Sequence, residues 1–71
     1  MLVSTNMGTQ DTRLAILKSA LEAFSQRGYL GAPTKEIARA AGVSEMTLFR
    51  HFSTKQLLFE TLSARTFRLN I

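Results

Sequence analysis

The sequence predicts an all-α fold: a three-helix bundle followed by the start of a fourth connecting helix. Three observations lead there. Apolar residues recur at helical spacing from Leu14 to Phe24. The stretch from Thr34 to Phe52, TKEIARAAGVSEMTLFRHF, reads as two short helices around a glycine turn. A new set of helix-start signals then follows at Ser53.

The first eight residues, MLVSTNMG, are polar enough to be expected as a flexible arm. The first helix is expected over about residues 9–27, because Leu14, Leu17, Leu21 and Phe24 form one stripe that Ile16 and Ala20 widen. Gly28 follows the last periodic residue and Arg27 stands in the final turn, so the C-cap signal and the helix dipole agree on the end. Tyr29 to Ala32 is a connector. Pro33 lacks a backbone donor and biases Ala32 toward extended backbone, so the second helix, about residues 34–41, begins after it with Thr34 as N-cap. Ile37 and Ala41 share one face of it, and Gly42 supplies the positive φ that ends it. Ser44 caps the third helix, about residues 45–51, with Val43 and Leu48 at the spacing of a hydrophobic staple. At about 100° per residue Leu48 and Phe52 lie together while Met46 and Arg50 lie nearly opposite, so Leu48 is expected inside. Thr47 and Phe49 fall on the flanks. For the fourth helix, Ser53 and Gln56 have capping-box spacing and Phe52 and Leu57 staple spacing, with Leu58, Leu62 and Leu69 directed inward. Phe59 and Phe67 fall off that line and call for another partner.

Composition bounds the class. A chain of 71 residues is a single domain with a thin core, since a chain this small buries only roughly 60% of the surface it exposes when unfolded. Its 45% hydrophobic content argues against disorder. Nine Lys and Arg against five Asp and Glu leave a formal charge of +4, which favours polyanionic partners. Cysteine is absent, which excludes disulfides and thiolate metal sites, zinc fingers among them. No run approaches the roughly 18 apolar residues of a membrane span, and no signal peptide is evident, so a cytoplasmic location is expected. One histidine, no phosphate-cradling glycine pattern and acids scattered along helices give catalysis no support, and no cofactor is expected.

The third helix carries the chemistry. Its outward face combines a cation, a hydroxyl and two large apolar groups, a mixture suited to phosphates and base edges rather than to plain solvation. Two short helices around a tight glycine turn form a helix-turn-helix, and that points to DNA.

These residues resemble the tetracycline-repressor (TetR) family of bacterial transcription regulators. The resemblance rests on Thr34, Ile37-Ala38, Ala41-Gly42-Val43-Ser44, Thr47-Leu48, His51-Phe52 and Lys55-Gln56-Leu57-Leu58, with an upstream helix ending Phe24 to Gly28-Tyr29, and covers about residues 9–65. It implies a helix-turn-helix DNA-binding domain over about residues 9–53. It also implies that residues 54–71 lead to a larger C-terminal domain, absent from this chain, that supplies the homodimer contact and a pocket for a small-molecule inducer. The expected function is that of a sequence-specific regulator, usually a repressor, binding a double-stranded operator as a dimer. The third helix would enter the major groove and the second would cross the backbone, with half-sites about one helical turn apart.

The resemblance further implies site residues. Thr34, His51 and Lys55 match positions that commonly hold phosphates, and Ser44 and Thr47 complete the expected phosphate set. Lys35, Glu45, Met46, Phe49 and Arg50 match the base-reading face, Arg50 being best equipped because a guanidinium binds guanine O6 and N7 bidentately. Each has a plainer reading. Glu45 is also simply favoured by the dipole at a helix start, or accepts from cytosine N4. Met46 stands where many members carry a small residue or proline, and either touches a thymine methyl or fills space. Phe49 replaces the family's frequent tyrosine, losing a phenolic bond to phosphate, which favours packing. His51 is as readily a buried or capping imidazole. Lys35 and Arg39 are as readily solvated charges. A rival reading makes the chain a helical protein-interaction module presenting Met46, Phe49, Phe59 and Phe67. Salt separates the two, because phosphate contacts release counterions and an apolar interface does not.

Overall fold

The computed structural model describes residues 10–69, with side chains described as far as residue 64. Its elements are α1 Thr12–Arg27, α2 Thr34–Ala41, α3 Glu45–His51 and α4 Lys55–Leu69, with no strand among the described residues. The expected arm over residues 1–8 lies outside them, as do the side chains of Phe67 and Leu69. α1 packs against each of the other three helices and α2 against α3.

The stripe on α1 is rotated from the one the leucine spacing suggests. Ile16, Leu17, Ala20 and Phe24 are buried, whereas Leu14 and Leu21 remain 48% and 49% exposed. The buried face has to meet α2, α3 and α4 together, and at about 100° per residue Leu14 and Leu21 stand roughly a quarter-turn from its centre. Ser19 sits within that face. Its hydroxyl donates to the Ile37 carbonyl oxygen at 2.9 Å, so a buried polar group becomes a tie between α1 and α2.

Two close turns follow. The Gly28 amide donates to the Phe24 carbonyl at 2.8 Å, with φ +79°. Three residues later the backbone passes so near Arg27 that a Cβ on Gly31 would stand 2.5 Å from the Arg27 carbonyl oxygen. Arg27 also pairs with Glu36 at 2.6 Å, joining the end of α1 to the first turn of α2. Both side chains are half-exposed, so this pair contributes at most about 1 kcal/mol.

α2 starts one residue earlier than capping chemistry suggests. Pro33 itself, at φ −67° and ψ 141°, is the capping residue, and its carbonyl oxygen accepts from the Glu36 and Ile37 amides at 3.1 Å. Thr34 is therefore already helical and caps nothing. The proline ring holds φ where the half-turn into a helix needs it, which frees the threonine hydroxyl for another partner. At the other end Gly42 takes the left-handed conformation, φ +80° and ψ 24°. Its amide donates to Arg39 and that of Val43 to Ala38, the pair of bonds that defines a Schellman motif.

α3 is punctuated as expected. The Ser44 hydroxyl oxygen accepts from the Thr47 amide at 3.1 Å, Val43 packs against the core and Leu48 is buried within it. α4 is not. Thr54, not Ser53, is its cap, accepting from the Leu57 amide at 3.0 Å, and Gln56 donates to Glu60 instead of reaching back. Leu57 stays 42% exposed, so the Phe52–Leu57 staple does not form. Burial decides the register: Phe52 and Leu58 both enter the core, and capping at Thr54 puts Leu58 rather than Leu57 at the fourth helical position. Leu62 follows Leu58 inward as expected.

The core comprises Ile16, Leu17, Ala20, Phe24, Ala32, Ile37, Ala38, Leu48, Phe52, Leu58 and Leu62, with Tyr29 and Val43 packed against it. Phe59 finds its partners within the domain, crossing Phe24 edge-on at 5.3 Å and Tyr29 at 5.2 Å. Arg13 covers the Phe52 ring at 4.5 Å. No buried side-chain polar atom among the described residues lacks a partner.

Candidate nucleic-acid interface

The turn from α2 to α3 sets the site. The Schellman bonds at Gly42 stop α2, Ser44 opens α3 two residues later, and Leu48, fully buried, presses α3 onto the core. With that side fixed, helical geometry leaves Met46 and Arg50 to solvent. Met46 is 72% exposed and Arg50 is exposed, with no hydrogen bond or ion pair among the described residues. Phe49, three residues past Met46, is 37% exposed and belongs neither to the core nor to the Phe24–Tyr29–Phe59 aromatic set.

Lys35, Ser44 and Glu45 come together along a groove between α2 and α3 that Glu36 and Arg39 also line. Arg39 stands four positions after Lys35 and so on the same face. Of the two acids in this groove, one has a cationic partner and the other a hydroxyl. Glu36 pairs with Arg27, and Oε2 of Glu45 accepts from the Thr34 hydroxyl at 2.8 Å. Lys35 and Arg39 are exposed and form no ion pair among the described residues, and with Glu36 neutralised by Arg27 they outnumber Glu45, which keeps its charge.

The remaining expected residues divide by engagement. The Ser44 hydroxyl donates to Thr47 Oγ1 at 3.1 Å while accepting from the Thr47 amide, so its one hydrogen is already committed within α3. The Thr47 hydroxyl keeps its own hydrogen. Thr34 has turned its hydroxyl to Glu45, which leaves its main-chain amide, a first-turn donor with no helical acceptor, as its free group. His51 is half-buried in the last turn of α3. Lys55, at the start of α4, rests its ammonium 4.6 Å from the Tyr29 ring centroid, a contact that holds the chain in place without using its hydrogen-bond donors. Lys35, Met46, Phe49 and Arg50 thus point away from the core, while Thr34 and Glu45 tie α2 to α3 and Ser44 is held by Thr47 of the helix it caps.

A short rod capped by serine, crossed by a second helix through a glycine turn and backed by a longer first helix, defines a helix-turn-helix domain. The family model of bacterial regulatory proteins, tetR family, matches residues 16–62. The chain belongs to that family. It is 47% identical over 51 residues to the uncharacterised HTH-type transcriptional regulator YvkB of Bacillus subtilis, covering 72% of this chain and 27% of that protein. It is 39% identical over 59 residues to the HTH-type transcriptional regulator UidR of Escherichia coli, covering 80% of this chain and 30% of the relative. A third relative, the HTH-type transcriptional regulator AcrR of Shigella flexneri, is 41% identical over 58 residues, which is 82% of this chain and 27% of that protein. The chain therefore spans under a third of the length of these curated relatives. No solved structure gives a significant match.

Proposed function

We propose that this chain is the operator-reading domain of a ligand-responsive transcriptional regulator, most simply a repressor. α3 enters the major groove, and α2 crosses the phosphate backbone. The observation that carries this reading is the division of α3, with Leu48 fully buried and Met46 and Arg50 turned out next to a groove that Lys35 and Arg39 line. A merely solvated helix has no use for an exposed methionine and phenylalanine flanking a free guanidinium.

In this reading Arg50 takes guanine O6 and N7, and Lys35 reaches base edges from the start of α2. His51, Thr47 and Lys55 hold phosphates, joined by the Thr34 amide, while Ser44 serves through its cap. The regulator acts as a homodimer in the cytoplasm and answers a small-molecule inducer, the dimer contact and inducer pocket both belonging to a further domain. The domain is not an enzyme and needs no cofactor. No described helix is long and apolar enough to cross a membrane.

Selection of duplexes from a random pool tests it. Enrichment of a common sequence, with affinity falling steeply as salt rises, is the expected result. Affinity that ignores salt, or no enrichment at all, overturns it.

A further inference from the structure

We infer that Tyr29 is a positioning residue for DNA binding: its ring holds the Lys55 ammonium at the place from which it meets a phosphate. This inference rests on the reading of Lys55 as a phosphate contact. The ammonium stands 4.6 Å from the Tyr29 ring centroid and forms no ion pair among the described residues. Lys55 opens α4, where the helix dipole disfavours a cation, and Thr54 already supplies the cap. Helix stability therefore gives no reason for a lysine there. The negative face of the Tyr29 ring is what offsets its charge.

Tyr29 is itself held from two sides. Phe24 of α1 stacks on it at 5.8 Å with 28° between the planes, and Phe59, one turn after Lys55 on α4, meets it edge-on at 5.2 Å. A residue of the connector between α1 and α2 is thus fixed by α1 and α4 together. The ring becomes a firm platform under a side chain that is otherwise among the loosest. A free lysine loses rotamer freedom when a phosphate immobilises it, and over the ring part of that freedom is gone before DNA arrives. Such preorganisation raises affinity without adding a contact. The ring covers one side of the ammonium only, so N–H donors on its other sides stay open to a phosphate oxygen.

The test has two arms. In the free chain, the ring current of Tyr29 should move the ε-methylene protons of Lys55 upfield of those of Lys18 and Lys35, and Tyr29→Leu should remove that displacement. Against a duplex selected from a random pool, Tyr29→Leu should weaken binding about two- to five-fold, the range an exposed cation–π contact supports. Tyr29→Phe, which keeps the ring face, should restore it. The salt dependence should be unchanged in Tyr29→Leu, because Lys55 still meets its phosphate, whereas Lys55→Ala should lower the salt slope by about one. In a Lys55→Ala background Tyr29→Leu should weaken binding no further, since the two residues act through one contact. A purely structural role for Tyr29 would weaken both backgrounds equally. The inference is overturned if the Lys55 protons of the free chain resonate with those of the other lysines, if Tyr29→Leu binds as tightly as the unsubstituted chain or more tightly, if Tyr29→Phe fails to restore binding, or if the penalty persists in full without Lys55. Unchanged affinity and salt slope in Lys55→Ala would remove the phosphate contact and this inference with it, while leaving α3 as the reading helix. A pool with no enriched duplex would overturn the DNA-binding reading as a whole. The proton shifts of the unsubstituted chain decide whether the platform exists even where Tyr29→Leu fails to fold.

Discussion

Leu48 is the residue on which the presentation of α3 turns. It is fully buried, and it is the one buried residue of that helix. Leu48→Ala should lose about 2–5 kcal/mol by urea unfolding, transfer and cavity terms combined. Against the roughly 5–15 kcal/mol typical of a whole domain, that is a large share of the stability, and the urea midpoint should fall accordingly. The inward turn of Leu48 and Phe52, and the outward turn of Met46 and Arg50, were both legible from angle alone, because a helix places side chains at fixed azimuths. The fate of polar groups was not. Thr34 and Glu45 sit eleven positions apart on different helices, and no periodicity announces that their side chains will meet. The Ser19 bond to the Ile37 carbonyl was hidden for the same reason: a serine on a buried helix face reads as small and polar until its partner is in place.

The helices were legible at the level of elements, and their ends less so. Ser44 offered a single capping residue before α3 and is the cap, so Ser44→Ala should cost about 1 kcal/mol. Before α4, Ser53 and Thr54 are both good caps, and local chemistry favoured the wrong one. The burial of Leu58 selects Thr54. Thr54→Ala should accordingly cost about 1 kcal/mol, whereas Ser53→Ala should stay within about 0.5 kcal/mol, a ranking that thermal melts resolve. The glycines rank similarly. An alanine at Gly42 meets open space and carries only the left-handed penalty of about 1 kcal/mol, while one at Gly31 drives its Cβ into the Arg27 carbonyl. Gly31→Ala should therefore be the more damaging, by about 1–3 kcal/mol. Nothing in the run from Tyr29 to Ala32 marked that close approach, since it exists only once the chain has folded back on α1.

On the scale of the whole molecule, the all-α bundle and the motif within it followed from spacing and punctuation, whereas the rotation of α1 did not. Leu14 and Leu21 looked like core because leucines at i and i+7 share a side, but three helices packed on one face pull its centre toward Ile16 and Ala20. The charge told true in kind. A formal +4 suggests a polyanion, and with Glu36 paired to Arg27, Lys35, Arg39 and Arg50 outnumber the one remaining acid of α2 and α3, Glu45. The most direct measurement is a base-preference profile, in which the unsubstituted chain, Arg50→Ala and Lys55→Ala are each titrated against every single-base variant of the selected duplex at fixed salt. Arg50→Ala should flatten the preference at one base step by about 1–3 kcal/mol and leave the others standing, while Lys55→Ala should weaken all duplexes alike. A profile for Arg50→Ala that superimposes on that of the unsubstituted chain would contradict the assignment of α3 as the helix that reads DNA.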